Sequence, residues 1–555
     1  MTNSEKKSRR EFIKLSAKSA FIASMPFVLN DAKSGGIGSA TRQLNDKKNL
    51  QQTDFELTSS LYAWEVHDEG IEQILDNLSI AGINSVYLIT PMHPERRPFI
   101  EGIPEGRQTY FFPHNPVRKE WMAEDARVYF FPDMSMYGAI KPQKSDHAWL
   151  SDTDWLNVVI KAARARGMRV GAEVSHNYIP KSVLDRNPEW KQVNLDGKIR
   201  DVPCISHPDV KEYLLALYAD LTKNYDIDYI MTCMLIFFGD GTTANSSCIC
   251  QSCQNKAKKA GFDLTTAIPI LRDNARAYPE VEQFQKFRED TTTEMYQAVI
   301  DRMHKEKPNV GFRLNDLNNW NTGLNLTRLK SHIASVHMST HQEQGGKPNT
   351  QRISRIRSVR HYIGPDIPIL ASVTTRLLST PDMIVNMIKT SVEMGVQGIG
   401  IKHYDGTPFS RLRAVRNGLH EAGVKGFLPV LGIEAEQDMS ITGFSKDAFL
   451  TENCIKLTDA KGTAWASFKY ETGTYDVAIT YTDEKLIQGS LELLVGGKQV
   501  AKWELTENVD CWRRKIIPDV NIRNGEEIRI IGTADNLKGD NTIRIDFVEF
   551  SPKTI

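Results

Sequence analysis

The sequence has no excess of charge of either sign. Its 555 residues include 69 Lys and Arg and 69 Asp and Glu, and the hydrophobic content of 40% is ordinary for a soluble globular protein. Proteins that bind nucleic acids present a basic surface to the phosphates, and binding to an anionic membrane surface also needs basic residues. The charge balance therefore argues against nucleic acid and against a membrane surface as partners.

A hydrophobic run long enough to cross a membrane is also missing. A membrane-spanning helix needs about 20 consecutive, mostly apolar residues. The apolar stretch near the N-terminus ends at about residue 29 and is interrupted by Lys18, so we expect no stable membrane insertion. No cysteine precedes Cys204, which argues against a lipid anchor on a cysteine after that stretch.

The N-terminus carries the pattern of an export signal. Residues 8–14 read SRREFIK, which matches the twin-arginine pattern S-R-R-x-F-I/L-K, an address read by a bacterial export machinery. The alternatives are an amphipathic helix and a disordered basic tail. We predict a twin-arginine signal peptide over 1–40, a linker over 41–54 and a location in the periplasm, with the cell surface and the medium as further destinations.

Eight short apolar runs alternate with helical patterns through the next part of the chain. They lie at 57–66, 85–90, 168–175, 228–237, 309–316, 333–340, 367–375 and 398–405. Alternation of this kind predicts a parallel sheet, and eight strand–helix units predict a closed (β/α)8 TIM barrel over 55–425. The carboxyl ends of the strands would then meet at one mouth, where the chemistry of such barrels takes place.

The pattern of apolar and polar residues changes after about residue 433. Short alternating runs such as 465–470, 475–481 and 543–550 are separated by turns rich in Gly, Asn and Asp. Runs at this spacing predict an all-β sandwich over 433–555.

Ionisable and polar side chains cluster at the predicted strand ends. Five of the 13 histidines fall there, and a purely structural barrel has no reason to place them so. We therefore expect an enzyme with its active site at the mouth. The candidate catalytic residues are Glu173, His176, Tyr178, Asp316, His403 and Tyr404, and the candidate substrate-binding residues are Glu65, His67, His337, Arg376 and Lys402.

The barrel sequence resembles TIM-barrel glycoside hydrolases and hydrolase-like proteins of polysaccharide-degrading bacteria. The likeness is carried by 187–190 (NPEW), 196–197 (DG), Cys204 with 207–210 (HPDV), 225–230 (YDIDYI) and the cysteine segment 248–253. The resemblance implies a sugar substrate. It fails at the ends of strands four and seven, because 231–237 and 371–376 contain no carboxylate, whereas many relatives carry one on strand four.

Three functions remain open at this point. Ordinary glycosidases need two carboxylates that flank the bond, and the usual positions are empty. We therefore expect β-elimination first, as in a lyase or dehydratase acting on a uronate-containing, anionic oligosaccharide or polysaccharide. His and Tyr would move the protons, and Arg376 and Lys402 would bind the uronate group. The alternatives are a glycoside hydrolase with a carboxylate pair from Glu65, Glu173 and Asp316, and a non-catalytic glycan-binding protein.

Two groups of residues suit structural metals, and no cofactor is expected in catalysis itself. Cys248, Cys250 and Cys253 form C-x-C-x-x-C, which with Cys204, Cys233 or a histidine could complete a zinc site. Disulfides are the alternative, because the exported compartment is oxidising, and Cys454 and Cys511 could pair in the sandwich.

The sandwich resembles carbohydrate-binding modules of the galactose-binding-like type. The likeness is carried by 432–436 (GIEAE), 473–475 (GTY) and 544–547 (RIDF). It implies a structural calcium ion held by Glu434, Glu436 and Asp546, whose oxygens suit this cation. The alternative is a sandwich that only braces the barrel.

Overall fold

The computed structural model describes most of the chain after the predicted linker. The described residues are 55–92, 113–117, 125–176, 179–237, 248–272, 278–315, 323–338, 350–375, 379–450, 452–485, 487–507, 509–535, 537 and 541–553. The predicted signal peptide and linker lie outside these ranges. None of the helices in the described part of the chain combines the length and the apolar composition that a membrane crossing requires.

Eight parallel strands close into a barrel, which confirms the predicted fold. The strands are β1 (Glu56–Leu61), β2 (Ser85–Ile89), β3 (Arg169–His176), β4 (Tyr229–Met234), β5 (Gly311–Asn315), β6 (Ser335–Met338), β7 (Ile369–Thr374) and β8 (Gly398–Lys402). Each strand pairs with the next along the chain, and β8 pairs with β1. This is the strand order of a TIM barrel.

Helices surround the barrel and form the insertions at its mouth. They are α1 (Ala63–Glu69), α2 (Ile71–Ile80), α3 (Ala148–Ser151), α4 (Trp155–Ala165), α5 (Lys181–Leu184), α6 (Pro208–Asn224), α7 (Gln251–Lys259), α8 (Leu264–Arg272), α9 (Pro279–Glu306), α10 (Leu326–Leu329), α11 (Thr350–Ile363), α12 (Pro381–Glu393) and α13 (Phe409–Glu421). Alternate strand residues such as Leu57, Val86 and Ile230 are fully buried beneath them. Apolar packing between strands and helices therefore drives closure of the ring.

Side chains fill the lower part of the barrel interior. A Cβ atom at Gly171 would lie 2.3 Å from the ring of Tyr229, and a Cβ atom at Gly400 would lie 2.5 Å from Nε2 of His337. These two glycines make room for the rings. Below them, Arg313 lies over the Tyr229 ring at 3.3 Å and binds both carboxylate oxygens of Glu56 at 2.7 Å. The amino end of the barrel is therefore closed by packed and paired groups.

The C-terminal part is a sandwich of two antiparallel sheets, as predicted. Its strands are β9 (Leu431–Glu434), β10 (Ser440–Thr442), β11 (Phe444–Phe449), β12 (Glu452–Leu457), β13 (Lys461–Ser467), β14 (Gly473–Asp483), β15 (Gly489–Val495), β16 (Lys498–Leu505), β17 (Val509–Ile522), β18 (Glu527–Ala534) and β19 (Arg544–Pro552), with a short helix α14 (Ala435–Asp438). One sheet has the order β11-β12-β19-β14-β17 with β9 beside β19, and the other has the order β10-β13-β18-β15-β16.

The sandwich packs directly on the barrel through β17. The backbone N–H of Trp512 donates to the carbonyl of Pro113 at 3.0 Å. The guanidinium of Arg514 lies 5.0 Å from the ring of Phe409 on α13. Trp512 belongs to the same hydrophobic cluster as the barrel core. The two halves therefore share a buried interface.

Most of the predicted strands are shorter than expected, and two of the differences affect candidate site residues. The run 57–66 is a strand only to Leu61, because the chain then turns into α1, where the carboxylate of Glu65 accepts the backbone N–H of Tyr62 at 2.9 Å. The run 398–405 ends as a strand at Lys402 and is followed by a 3-10 turn at Tyr404–Gly406. The residues after both strands therefore point in directions that strand alternation does not predict.

Candidate active site at the barrel mouth

The upper end of the barrel interior is polar. Gly171 faces the interior, so Glu173, two residues later on β3, faces it as well. Glu173 is 5% exposed, and its charge raises the pKa of the buried Tyr87 phenol, in addition to the larger effect of burial. Glu173 is therefore a buried carboxylate at this end of the interior. It lies where substrates reach a TIM barrel.

His403 forms the centre of a hydrogen-bonded group next to β1. Its Nδ1 lies 2.8 Å from the hydroxyl oxygen of Ser60, and its Nε2 lies 3.2 Å from that of Tyr62. The ring of Tyr62 stacks on Trp64 with centroids 3.9 Å apart, which holds the phenol in place. An imidazole bonded to a phenol in this way can accept and return a proton. His403 is the predicted candidate that lies in this group.

Tyr62 was missed by the sequence reasoning. The predicted first strand ran to residue 66, so Tyr62 counted as an ordinary strand residue. The signal that could have found it is Glu65, three residues later, because a carboxylate at this spacing often accepts the N–H that precedes a helix. A helix start at this point would have marked Tyr62 as the last residue before the loop.

Asn315 on β5 and Cys233 on the neighbouring strand β4 line the interior. The amide nitrogen of Asn315 donates to Sγ of Cys233 at 2.9 Å. The carbonyl oxygen of the Asn315 side chain has no hydrogen-bond partner among the residues that the structure describes. Cys233 therefore belongs to the mouth and not to the cysteine cluster.

Tyr404 does not face the mouth, which corrects its prediction as an acid or base. It is fully buried, donates its hydroxyl to Glu69 at 2.6 Å and accepts the Asn77 amide at 2.9 Å. Burial and the charge of Glu69 raise the pKa of the phenol well above its usual value. The tyrosine follows the 3-10 turn after β8, which directs it outward between the barrel and α1.

His337 and Glu65 are also buried away from any substrate, which corrects their predicted binding roles. His337 fills the middle of the barrel, where Nε2 lies 2.7 Å from the Ser372 hydroxyl and Nδ1 lies 2.9 Å from the sulfur of Met231. Glu65 is 1% exposed and caps α1. Burial, and then the charge of Asp405, raise the pKa of Glu65 well above its usual value.

Of the remaining candidates, only the side chain of His67 lies in the described part of the structure. His67 lies on α1 with its side chain 36% exposed, 2.8 Å from a carboxylate oxygen of Asp68 and against Trp149. Tyr178, Asp316 and Arg376 lie outside the described residues. The backbones of His176 and Lys402 end β3 and β8, and their side chains are outside the described part of the structure.

Cys204 and the three cysteines of the segment 248–253 converge on one point. The sulfur atoms of Cys204, Cys248, Cys250 and Cys253 all lie within 4.8 Å of one another, and all four residues are buried. Cys204 is 3.5 Å from both Cys250 and Cys253, so none of these pairs is a disulfide, and Cys454 and Cys511 are free as well. Four thiolates about 2.3 Å from one zinc ion stand about 3.8 Å apart. The cluster therefore has the size of a tetrahedral zinc site, with Cys204 as the fourth ligand.

Three carboxylates converge in the sandwich. Oxygens of Glu434, Glu436 and Asp546 lie within 4.8 Å of one another, and Arg413 of α13 binds Glu434. Burial, and then the charges of Glu452 and Glu434, raise the pKa of Asp546 well above its usual value. Carboxylates crowded in this way repel one another unless a cation lies between them.

Comparisons with known proteins find similarity at the level of solved structures. No family model and no curated protein matches the chain. An α-L-fucosidase isoenzyme 2 from Paenibacillus thiaminolyticus is 12% identical over 69% of this chain and 51% of its own, with a TM-score of 0.45. A β-galactosidase from Bacillus circulans sp. alkalophilus is 11% identical over 63% of this chain and 50% of its own, with a TM-score of 0.42.

The catalytic domain of a β-amylase from Paenibacillus polymyxa is 10% identical over 68% of this chain and all of its own, with a TM-score of 0.42. The chain spans about half of the length of the fucosidase and the galactosidase. The similarity concerns the arrangement of the chain, and the barrel assignment above rests on the strand order itself.

Replacing Glu65 by Gln should stabilise the protein more at pH 8 than at pH 5. The pKa of the Glu65 carboxyl group is higher in the folded state than in the unfolded state, so between these two pKa values the folded state binds more protons. The stability of the folded state therefore falls as the pH rises through this range. Gln keeps the acceptor for the Tyr62 N–H and does not ionise. The gain is about 1.4 kcal/mol for each unit of pKa elevation. Urea denaturation at both pH values measures it.

Glu65→Ala is the control, because it removes the acceptor and leaves a void. It should be less stable than Glu65→Gln at both pH values. An equal effect of Glu65→Gln at pH 5 and pH 8 would contradict the elevated pKa.

Proposed function

We propose that the protein is a carbohydrate-active enzyme that cleaves a glycosidic bond at the barrel mouth by hydrolysis. The observation that carries this proposal is Glu173, a carboxylate on the interior face at the carboxyl end of β3. Carboxyl groups at this end of a barrel are suited to protonate a leaving group or to attack a sugar. The sugar substrate itself is an expectation from the sequence resemblance.

Hydrolysis needs a second carboxylate. Of the three sequence candidates, Glu65 caps α1 and is buried, which leaves Glu173 and Asp316. Asp316, which follows the end of β5 and lies outside the described residues, is the remaining carboxylate of the three sequence candidates besides Glu173. We therefore assign the catalytic pair to Glu173 and Asp316. The distance between the two carboxyl groups would decide between retention and inversion at the sugar.

Elimination is the second candidate, and the hydrogen bond between His403 and Tyr62 favours it. A neutral His403 could remove a proton next to a uronate carboxylate, and Tyr62 could return one to the leaving oxygen. Tyr62 takes the role that the sequence reasoning gave to Tyr404. His176, Tyr178, Arg376 and Lys402 keep their proposed parts in this reaction.

We also propose export through the twin-arginine machinery to the periplasm, and binding of glycan by the sandwich. The support for export is the SRREFIK sequence at 8–14. The support for the sandwich is its resemblance to carbohydrate-binding modules together with its two-sheet fold. Folded export would allow a metal to be inserted before the protein leaves the cytoplasm.

Replacing Glu173 by Gln should lower the rate of sugar cleavage by at least about 10²-fold, because Gln can neither donate nor accept the catalytic proton. The assay incubates the protein with neutral and uronate-containing oligosaccharides and weighs the products by mass spectrometry. Hydrolysis adds one water to the total product mass. Elimination adds none and creates a double bond that absorbs ultraviolet light.

Glu189→Gln is the matched control, because Glu189 is exposed on the surface. It should keep full activity. Full activity of Glu173→Gln would contradict the proposal, and binding of oligosaccharide without any product would identify a glycan-binding protein instead.

We propose that the cysteine cluster holds a structural zinc ion, which would tie the insertion at 248–253 to Cys204. The purified protein should contain about one zinc per chain by elemental analysis, and Cys204→Ser should lose it, because three thiolates hold zinc less tightly than four. Cys454→Ser is the control, since Cys454 is buried in the sandwich, and it should keep the metal. Zinc-free wild-type protein of unchanged thermal stability would contradict a structural role.

We propose that Glu434, Glu436 and Asp546 bind calcium. Calcium would relieve the repulsion among the carboxylates, so the ion should raise the melting temperature of the wild type. Asp546→Asn should abolish most of this increase, as measured by thermal denaturation with calcium and with chelator. Asp535→Asn, a substitution elsewhere in the sandwich, should leave the increase unchanged. An equal calcium effect in wild type and Asp546→Asn would contradict the site.

A further inference from the structure

Arg288 is a fully buried cation without a partner. It lies on α9 with an exposure of 0%, and none of its three side-chain nitrogens has a hydrogen-bond acceptor among the described residues. Other buried arginines of the chain differ. Arg352 donates to the Ser391 hydroxyl at 2.8 Å and to the Ser372 carbonyl at 3.0 Å, and Arg313 binds both carboxylate oxygens of Glu56.

The same face of α9 carries further unsatisfied polar groups. Gln285, Thr291 and Thr292 stand three or four residues from Arg288, so all four side chains share one side of the helix. The side-chain carbonyl oxygen of Gln285 and the hydroxyls of both threonines are buried and lack hydrogen-bond partners within the described ranges. Buried polar groups are almost always paired in native proteins. A face with four exceptions therefore indicates a missing partner.

This face lies above the ends of the barrel strands. The hydroxyl of Tyr296 on α9 accepts the N–H of Leu235, which directly follows β4, at 3.0 Å. Arg288 precedes Tyr296 by eight residues, which is about 12 Å along a helix. A Cβ atom at Gly323, in the segment after β5, would lie 2.8 Å from the carbonyl of Arg288. The unsatisfied face therefore packs against Gly323, at the end of the barrel where the strands finish.

The charge of Arg288 needs compensation. Burial lowers the pKa of its guanidinium to about 9, so the group still carries its charge at neutral pH. The ring of Phe284 lies 5.5 Å away and offers a weak interaction with the cation. An isolated buried charge costs several kcal/mol unless an anion accompanies it. Guanidinium groups bind carboxylates in a two-point geometry.

We propose that Arg288, with Gln285, Thr291 and Thr292, binds the carboxylate and hydroxyls of an acidic sugar. Arg288 supplies the charge for the carboxylate, and the amide and hydroxyl groups supply hydrogen bonds to sugar oxygens. This assignment rests on the proposed sugar-cleaving function and names its substrate class, a uronate-containing glycan.

Binding of sodium glucuronate, glucose and sodium acetate to the full chain tests the assignment without any turnover. We expect glucuronate to raise the melting temperature of the wild type, glucose to have no effect and acetate to have a smaller effect. Arg288→Met should weaken glucuronate binding by about 10- to 100-fold, because the lost contact is a charged hydrogen-bonded pair. Arg328→Met is the control with the same change of charge on an exposed, paired arginine, and it should bind normally.

The stability of the ligand-free variants supplies a second measurement. Arg288→Met should melt at the wild-type temperature or higher, because it removes an unpaired buried charge. A lower melting temperature together with unchanged glucuronate binding would overturn the proposal and make Arg288 structural. Equal stabilisation by acetate and glucuronate would overturn the sugar assignment. If glucuronate still binds to the Glu173→Gln variant, its binding does not depend on Glu173. The sugar assignment can then be judged separately from the hydrolysis proposal.

Discussion

The closure of the parallel sheet is the constraint on which the rest of the structure depends. Small residues on some strands leave space inside the closed ring for large side chains on others, as Gly171 does for Tyr229 and Gly400 for His337. The Arg313–Glu56 pair then seals the amino end. The lower interior is thus filled, and the polar side chains of Glu173, Cys233 and Asn315 lie toward the carboxyl end.

Hydrogen-bond partners separate the ionisable groups near the mouth into two sets, all of them buried. Tyr404, Glu69 and Asn77 satisfy one another beside the barrel and hold the loop after β8. His403 and Tyr62 bond to each other at the edge of the interior. The two tyrosines have the same chemistry and different partners, because Tyr404 bonds to Glu69 and Asn77 whereas Tyr62 bonds to His403. Residue type alone cannot make this distinction.

The sequence predicted the architecture well and the site only in part. The eight barrel strands and the strands of the sandwich could be predicted because the periodicity of apolar residues is visible in the local sequence. Glu65 and Tyr404 were assigned to the mouth because strand alternation was extended past Leu61 and Lys402, where a helix and a 3-10 turn rotate the side chains away. Cys204 could be offered as a zinc ligand but not chosen over Cys233, because convergence in space depends on the whole ring. Arg288 gave no signal at all, since an arginine in a helical pattern reads as a surface residue.

The contact between Trp512 and Pro113 has a mechanical consequence. The sandwich is joined to the barrel by a shared apolar core and not by a tether, so it cannot swing independently of the mouth. A polymer chain held by the outer strands of the sandwich would therefore lie at a constant distance and angle from the barrel mouth. If the sandwich binds glycan as proposed above, this rigid connection would set a constant distance between the bound glycan and the mouth, whereas a module on a flexible linker would only raise the local concentration.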